Sequence, residues 1–196
     1  MTKSEREPLT GALASARRHV LLQLEGLNQD QLRRAVTPSG WTPLGLVRHL
    51  TLSDERYWFQ VVVAGGPLDF WPEGLNANWE VPSEEPADAV IAAYTAAIAA
   101  ADAIIAETDL DTPPASPEPG WDAAGLTFPD LRSILVHVIV ETSTHAGHLD
   151  IVRELIDGRQ PRPLTPLWER MLFGRPTLSG ISQPAASKSR ATPFVV

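Results

Sequence analysis

The chain has 196 residues, 43% of them hydrophobic, which is enough for one domain with a packed core. Its 24 acidic residues outnumber 16 basic ones for a formal charge of -8, which argues against a nucleic-acid-binding face and against adsorption on anionic lipid. It has no cysteine, which excludes disulfides, a cysteine nucleophile and thiolate metal ligands, so thiol chemistry needs a thiol brought in by a cosubstrate.

The N-terminal stretch from Met1 to Pro8 lacks the apolar core of a signal peptide. No apolar run reads as long and charge-free enough to span a bilayer. The expectation is a soluble cytoplasmic protein without a membrane or nucleic-acid partner.

Four segments read as amphipathic helices. The first covers about 9–27, with Leu9, Leu13, Ala16, Val20, Leu24 and Leu27 on one stripe. The second starts at Thr42 and Pro43, a suitable N-cap and first-turn pair, and runs to about Ala64, where Gly65, Gly66 and Pro67 end it. Leu46, Leu50, Tyr57 and Val61 form its apolar face. The third follows Pro86 and extends to about Glu107, with Val90, Tyr94, Ile98, Ala101 and Ile105 facing inward. Its many alanines let a neighbouring helix approach closely. The fourth begins near Pro129 and Asp130 and ends at Gly158, a C-cap glycine.

The connections at about 65–82 and 108–128 are long and rich in Pro, Gly and Trp. Long connections predict at least one crossover rather than simple antiparallel hairpins. Trp71, Trp79 and Trp121 either line a pocket or plug the loops onto the bundle. Residues 1–158 are therefore expected to form an all-α four-helix bundle. Residues 159–196 are expected to be a basic, Pro- and Ser-containing, partly disordered extension with a short docking helix at 167–173.

The fourth helix carries the chemistry. His137, Glu141, His145 and His148 fall within an arc of roughly 80°. Ile134, Val138, Val152 and Leu155 share or border that arc, so these polar side chains face the apolar side and need something to satisfy them. Glu141 and His145 are an i, i+4 pair that can reach one ion, and His49 on the second helix offers a third ligand. A His₂Glu set leaves a coordination position open for water or substrate. Acid–base pairs at this spacing are also common helix stabilisers, so the spacing leaves both readings open.

Gly40, Trp41, Thr42 and Pro43, with His49 and Leu50 and then Glu55 to Phe59, resemble the second helix of DinB/YfiT-like proteins. The run from His145 through His148 to Gly158 resembles their last helix. The resemblance covers about 9–158, and is strongest to an actinobacterial DinB-like subgroup of unassigned function. The chain is also similar to the metal-binding domain of mycothiol-dependent maleylpyruvate isomerase.

The resemblance implies a four-helix bundle with a long crossover and a divalent metal at one end. It implies His49, Glu141 and His145 as ligands, Zn²⁺ as the simplest ion, and Ni²⁺ or Fe²⁺ as others that suit the set. His148 is expected to support the ligands, His137 either does so or simply packs, and His19 matches no family ligand. A thiol cosubstrate such as mycothiol is implied, in S-transfer or isomerisation of a small electrophile. Arg56 either holds a carboxylate of substrate or cosubstrate or pairs with an acid on a neighbouring helix. Relatives are often homodimers.

Two other readings share the bundle. One is a metal-dependent hydrolase with His148 or His137 as base; the other is a non-catalytic metal-binding stress protein. No Gly-rich phosphate loop, dinucleotide motif or Ser-His-Asp arrangement is present, and no nucleotide cofactor is expected.

Overall fold

A computed structural model describes residues 3–118 and 120–159. It is helical, with no strand among the described residues. In chain order the helices are α1 (Lys3–Leu24), a single turn α2 (Gln29–Leu32), α3 (Pro43–Leu50) continued by a π-helical run (Thr51–Val63), α4 (Ala87–Glu107) and α5 (Leu131–Asp157). The extension expected from 159 onward lies outside the described residues except for Arg159, as does the short helix at 167–173.

Helix ends follow local chemistry. The Thr42 hydroxyl accepts from the Gly45 amide at 2.9 Å, with Pro43 in the first turn of α3. Asp130 caps α5 reciprocally with Ser133, and Gly158 closes it in the left-handed conformation at φ 74°. α2 is nucleated by a capping box between Asn28 and Gln31. α1 begins at Lys3 rather than near Leu9 and runs through Pro8. Its first turns are held from outside: Arg6 donates to the Ile105 and Thr108 carbonyls, and Glu5 pairs with Arg132. Those contacts offset the backbone bond that proline cannot make.

The core divides into two apolar clusters. One joins Leu13, Phe59, Val62, Ile105, Leu131 and Ile134; the other joins Val20, Leu44, Leu50, Val90, Tyr94 and Leu149. Hence the start of α1, the end of the π run, the end of α4 and the start of α5 share one end of the bundle. α1 and α5 run one way; α3 with its π run and α4 run the other. The connection 65–82 is therefore the crossover, returning along the bundle between two parallel helices. The connection 108–130 is long but stays at one end.

Between the clusters lies a polar belt. Arg17, 3% exposed, donates from Nε to Glu55 at 2.7 Å and makes a second bond to its other oxygen. Asp102 takes the remaining side of the guanidinium at 2.7 Å. Burial opposes the charge on Arg17, but Glu55 and then Asp102 outweigh it and raise its pKa. Burial lifts the Glu55 carboxyl against the pull of Arg17, and the two-point contact fits the ionised pair. Beside it, Thr142 donates to the buried Asp54 carboxylate at 3.0 Å.

Three expectations need correction. Tyr57 and Val61 are only half-buried, and Trp58, Phe59 and Val62 take the inward positions. The cause is the π run: its wider i→i+5 turns rotate every residue beyond Thr51 away from the α-helical phase. Leu155 is 56% exposed; it sits at the margin of the α5 stripe, where Ile156 turns inward instead. α4 is also long and apolar enough to cross a membrane by length and composition, because alanine counts as apolar without needing burial. Here it packs against α3 and the π run.

Candidate functional site

His49 and His145 meet. His49 lies in the last turn of α3 and His145 near the middle of α5, and their ring centroids stand 5.1 Å apart, edge to face. Glu141, one turn before His145, lines a cavity of about 480 Å³ that His49 also lines. Glu141 and His145 belong to a stripe on the shoulder of α5 rather than on its most buried line. The stripe of His137, Glu141, His145 and His148 is rotated by roughly 85° from the centre of the buried face marked by Val138, Thr142 and Leu149. A shoulder position lets a side chain touch the core and a solvent-reaching cavity at once.

The crossover clamps His49. The Asn78 side-chain amide lies 2.8 Å from His49 Nδ1, and the Trp79 ring stacks on the imidazole with centroids 4.0 Å apart and planes 14° apart. These two residues belong to a 3₁₀ turn, Ala77–Trp79, which follows Asn76 in the left-handed conformation at φ 61°. The turn can press onto α3 because Gly45 has no side chain; a Cβ there would collide with the Trp79 carbonyl oxygen. The contact fixes the plane of the ring; because an amide nitrogen donates, it leaves the ring proton on Nε2, and ligation through Nε2 requires Asn78 to turn its amide oxygen to an Nδ1–H.

Burial keeps the imidazoles neutral. His49 is pushed down to about 4, first by burial and then by His145 beside it. Burial lowers His145 despite the opposing pull of Glu141, and lowers His137 likewise. His145 Nδ1 is buried with no hydrogen-bond partner. Burial lifts Asp54 well above the usual carboxylate range, against the hydrogen bond it accepts from Thr142.

Two imidazoles from different helices, one of them with an unpartnered buried nitrogen, and a carboxylate one turn away are donor types that suit a divalent cation. Among the described residues, no three His, Asp or Glu side chains converge closely enough to hold an ion as they stand. The structure thus brings His49 and His145 together and puts Glu141 on the same cavity, short of a closed trio.

The other candidate residues are dispersed. His148 is exposed, 5.7 Å ring to ring from His145 and 6.5 Å from Trp41. His137 lines the cavity and packs edge-on against Trp58 and Phe128. His19 pairs with Asp150 at 2.8 Å. The Arg56 guanidinium lies 3.7 Å over the Phe70 ring and reaches toward Gln60, with the charge of Asp69 nearby. Of the loop tryptophans, Trp71 lines the cavity, Trp79 covers His49 and Trp121 stacks on Trp58 with centroids 5.6 Å apart.

Sequence reasoning did not single out Asn78, Asp54 or Glu118. The signal for Asp54 was an acid one turn beyond Leu50 on an apolar face. Asn78 and Glu118 lie in irregular connections, where spacing carries no phase.

No curated protein and no solved structure matches the chain. The model of the family described as Mycothiol-S-transferase does match it, over residues 8–158, which takes in every candidate residue named above and every helix except the start of α1. The chain belongs to the mycothiol S-transferase family, of the DinB/YfiT-like kind.

Proposed function

We propose that this chain transfers a low-molecular-weight thiol, mycothiol or a close equivalent, onto a small electrophile, and that His49, Glu141 and His145 hold a divalent cation, most simply zinc, that serves the reaction. The observation that carries the reading is the meeting of His49 and His145 beside a cavity containing Glu141, in a chain with no sulfhydryl of its own. When bound, such a cation favours thiolate over thiol near neutral pH.

The chain's own residues supply the rest. Asn78 and Trp79 hold the His49 ring in plane. His137, neutral and on the cavity wall, can take the proton that the thiol releases. His148 supports His145 from the rim. Trp58 and Trp71 wall the cavity and exclude water from the electrophilic carbon. In the transfer a sulfur–carbon bond forms, the bond from carbon to its leaving group breaks with its electron pair, and the thiol proton passes to the base.

The test incubates the purified chain with mycothiol and a neutral alkyl bromide, following the S-conjugate by mass spectrometry and zinc by elemental analysis. Wild type is expected to accumulate conjugate well above the uncatalysed rate. His49→Ala and His145→Ala are expected to lose bound zinc and at least about 100-fold in rate. Conjugate formation equal to the uncatalysed rate would overturn the transfer; full zinc content in both variants would overturn the assigned ligands.

A further inference from the structure

The cavity's outer half has a distinctive charge. Trp58, Tyr57, Trp71 and Leu68 give it flat apolar walls, and Tyr57 and Trp71 meet edge to face at 6.1 Å. Asp54, Glu118 and Glu141 are its acids, with burial lifting Asp54 well above the usual carboxylate range, and among the described residues that line it there is no lysine or arginine. The nearest candidate for an anion clamp on the π run, Arg56, is laid over Phe70 instead.

The three acids differ in availability. Asp54 is 2% exposed and takes its hydrogen bond from Thr142. Glu141 is assigned to the cation. Glu118 is exposed, yet it is not free to wander: the Tyr57 hydroxyl donates to its Oε1 at 2.6 Å, tying the connection 108–130 to the π run across the cavity wall. An ionised carboxylate fixed beside aromatic walls repels an anionic ligand and favours a neutral or cationic one.

We infer, building on the transfer reading above, that the electrophile this cavity takes is a flat apolar group bearing no negative charge, and that Glu118 is the residue that sets this preference. Carboxylate-bearing electrophiles are turned away at the mouth, where Glu118 stands with Leu68 and Trp71. Neutral aromatic groups slide between the indole walls, and a cationic substituent gains from both the rings and the carboxylate. A cavity of about 480 Å³ is in the range that accommodates such ligands.

The experiment uses three unreactive probes of one shape: 2-naphthylmethanol, (2-naphthylmethyl)trimethylammonium and 2-naphthoate. Each is titrated by calorimetry at low ionic strength into the full chain dialysed against chelator, without thiol, so that no bound cation draws the carboxylate. The neutral and cationic probes are expected to bind about 10-fold or more tightly than 2-naphthoate, with the gap narrowing in 1 M salt. Glu118→Gln is expected to shrink the gap, and Glu118→Lys to reverse the order of cation and anion. Both substitutions are on an exposed side chain, and circular dichroism checks that the helices persist.

Equal binding of 2-naphthoate, absence of binding by every probe below millimolar, or an unchanged order in both Glu118 variants would each overturn the inference. Because no thiol and no turnover enter the titration, a failure here is distinct from a failure to form conjugate.

Discussion

At the scale of the residue, the buried imidazoles of the site are kept uncharged by their surroundings. His49 titrates near 6.5 in an unfolded chain but near 4 in the bundle, because burial and then the adjacent His145 penalise its proton. Between those values the unfolded state binds a proton that the folded state refuses. Stability therefore falls as pH drops from about 6.5 to about 4 and levels off below that, with full stability above the window. Thermal melts of metal-free protein across this range are expected to decline more steeply for wild type than for His49→Gln; parallel declines would remove His49 as the cause. The neutral ring is also the form that offers a lone pair to a cation, so the same burial that weakens the protein in acid prepares the site at neutral pH.

At the scale of the element, the π run and the polar belt decide what faces inward. The run places Asp54 and Glu55 side by side in the middle of the bundle, one toward Thr142 on α5 and the other toward Arg17 on α1. Glu55 is fully buried, so removing its charge leaves Arg17 with only the exposed Asp102. Glu55→Gln is expected to cost about 3–5 kcal/mol in urea unfolding, and Arg17→Met combined with Glu55→Leu to cost less than the sum of the two single changes. Additive losses would mean the two side chains do not act as a pair. The belt was hard to read from sequence because Arg17 and Glu55 are 38 positions apart and each alone looks like a surface charge. The phase change was hidden for another reason: Thr51–Val63 has the composition of an ordinary helix, and only the hydrogen-bond pattern shows its wider turns.

At the scale of the whole molecule, the candidate centre ties α3 to α5 at mid-length, so an ion there braces the bundle as well as serving chemistry. Saturating zinc, at about 100 times its dissociation constant, stabilises a folded state by about 2.7 kcal/mol. For a domain of this size that is a shift of about 5–10 °C in melting midpoint, lost on adding a chelator. A midpoint indifferent to both zinc and chelator would count against an ion in this position. The bundle itself was legible because Thr42 and Pro43, Asp130 and Gly158 punctuate it and because α4 and α5 keep a clean 3.6-residue stripe. The approach of His49 to His145 was legible too, since both sit on regular helices where spacing fixes direction, while Glu141 stops short of closing a trio with them. The clamp on His49 and the carboxylate at the cavity mouth were not, because Asn78, Trp79 and Glu118 reach the site from connections whose course depends on tertiary packing.

The contact between Gly45 and the Trp79 backbone has a consequence for how this sequence can change over time. Surface loops ordinarily gain and lose residues at little cost, since closure entropy grows slowly with length. The crossover is exempt from that freedom. Its far end is seated backbone-on-backbone against α3, and one inserted residue between Gly66 and Asn76 would slide the indole off the imidazole and carry the Asn78 amide away from the ring nitrogen. Drift in length should therefore be tolerated in the connection that remains at one end of the bundle and resisted in the one that crosses it.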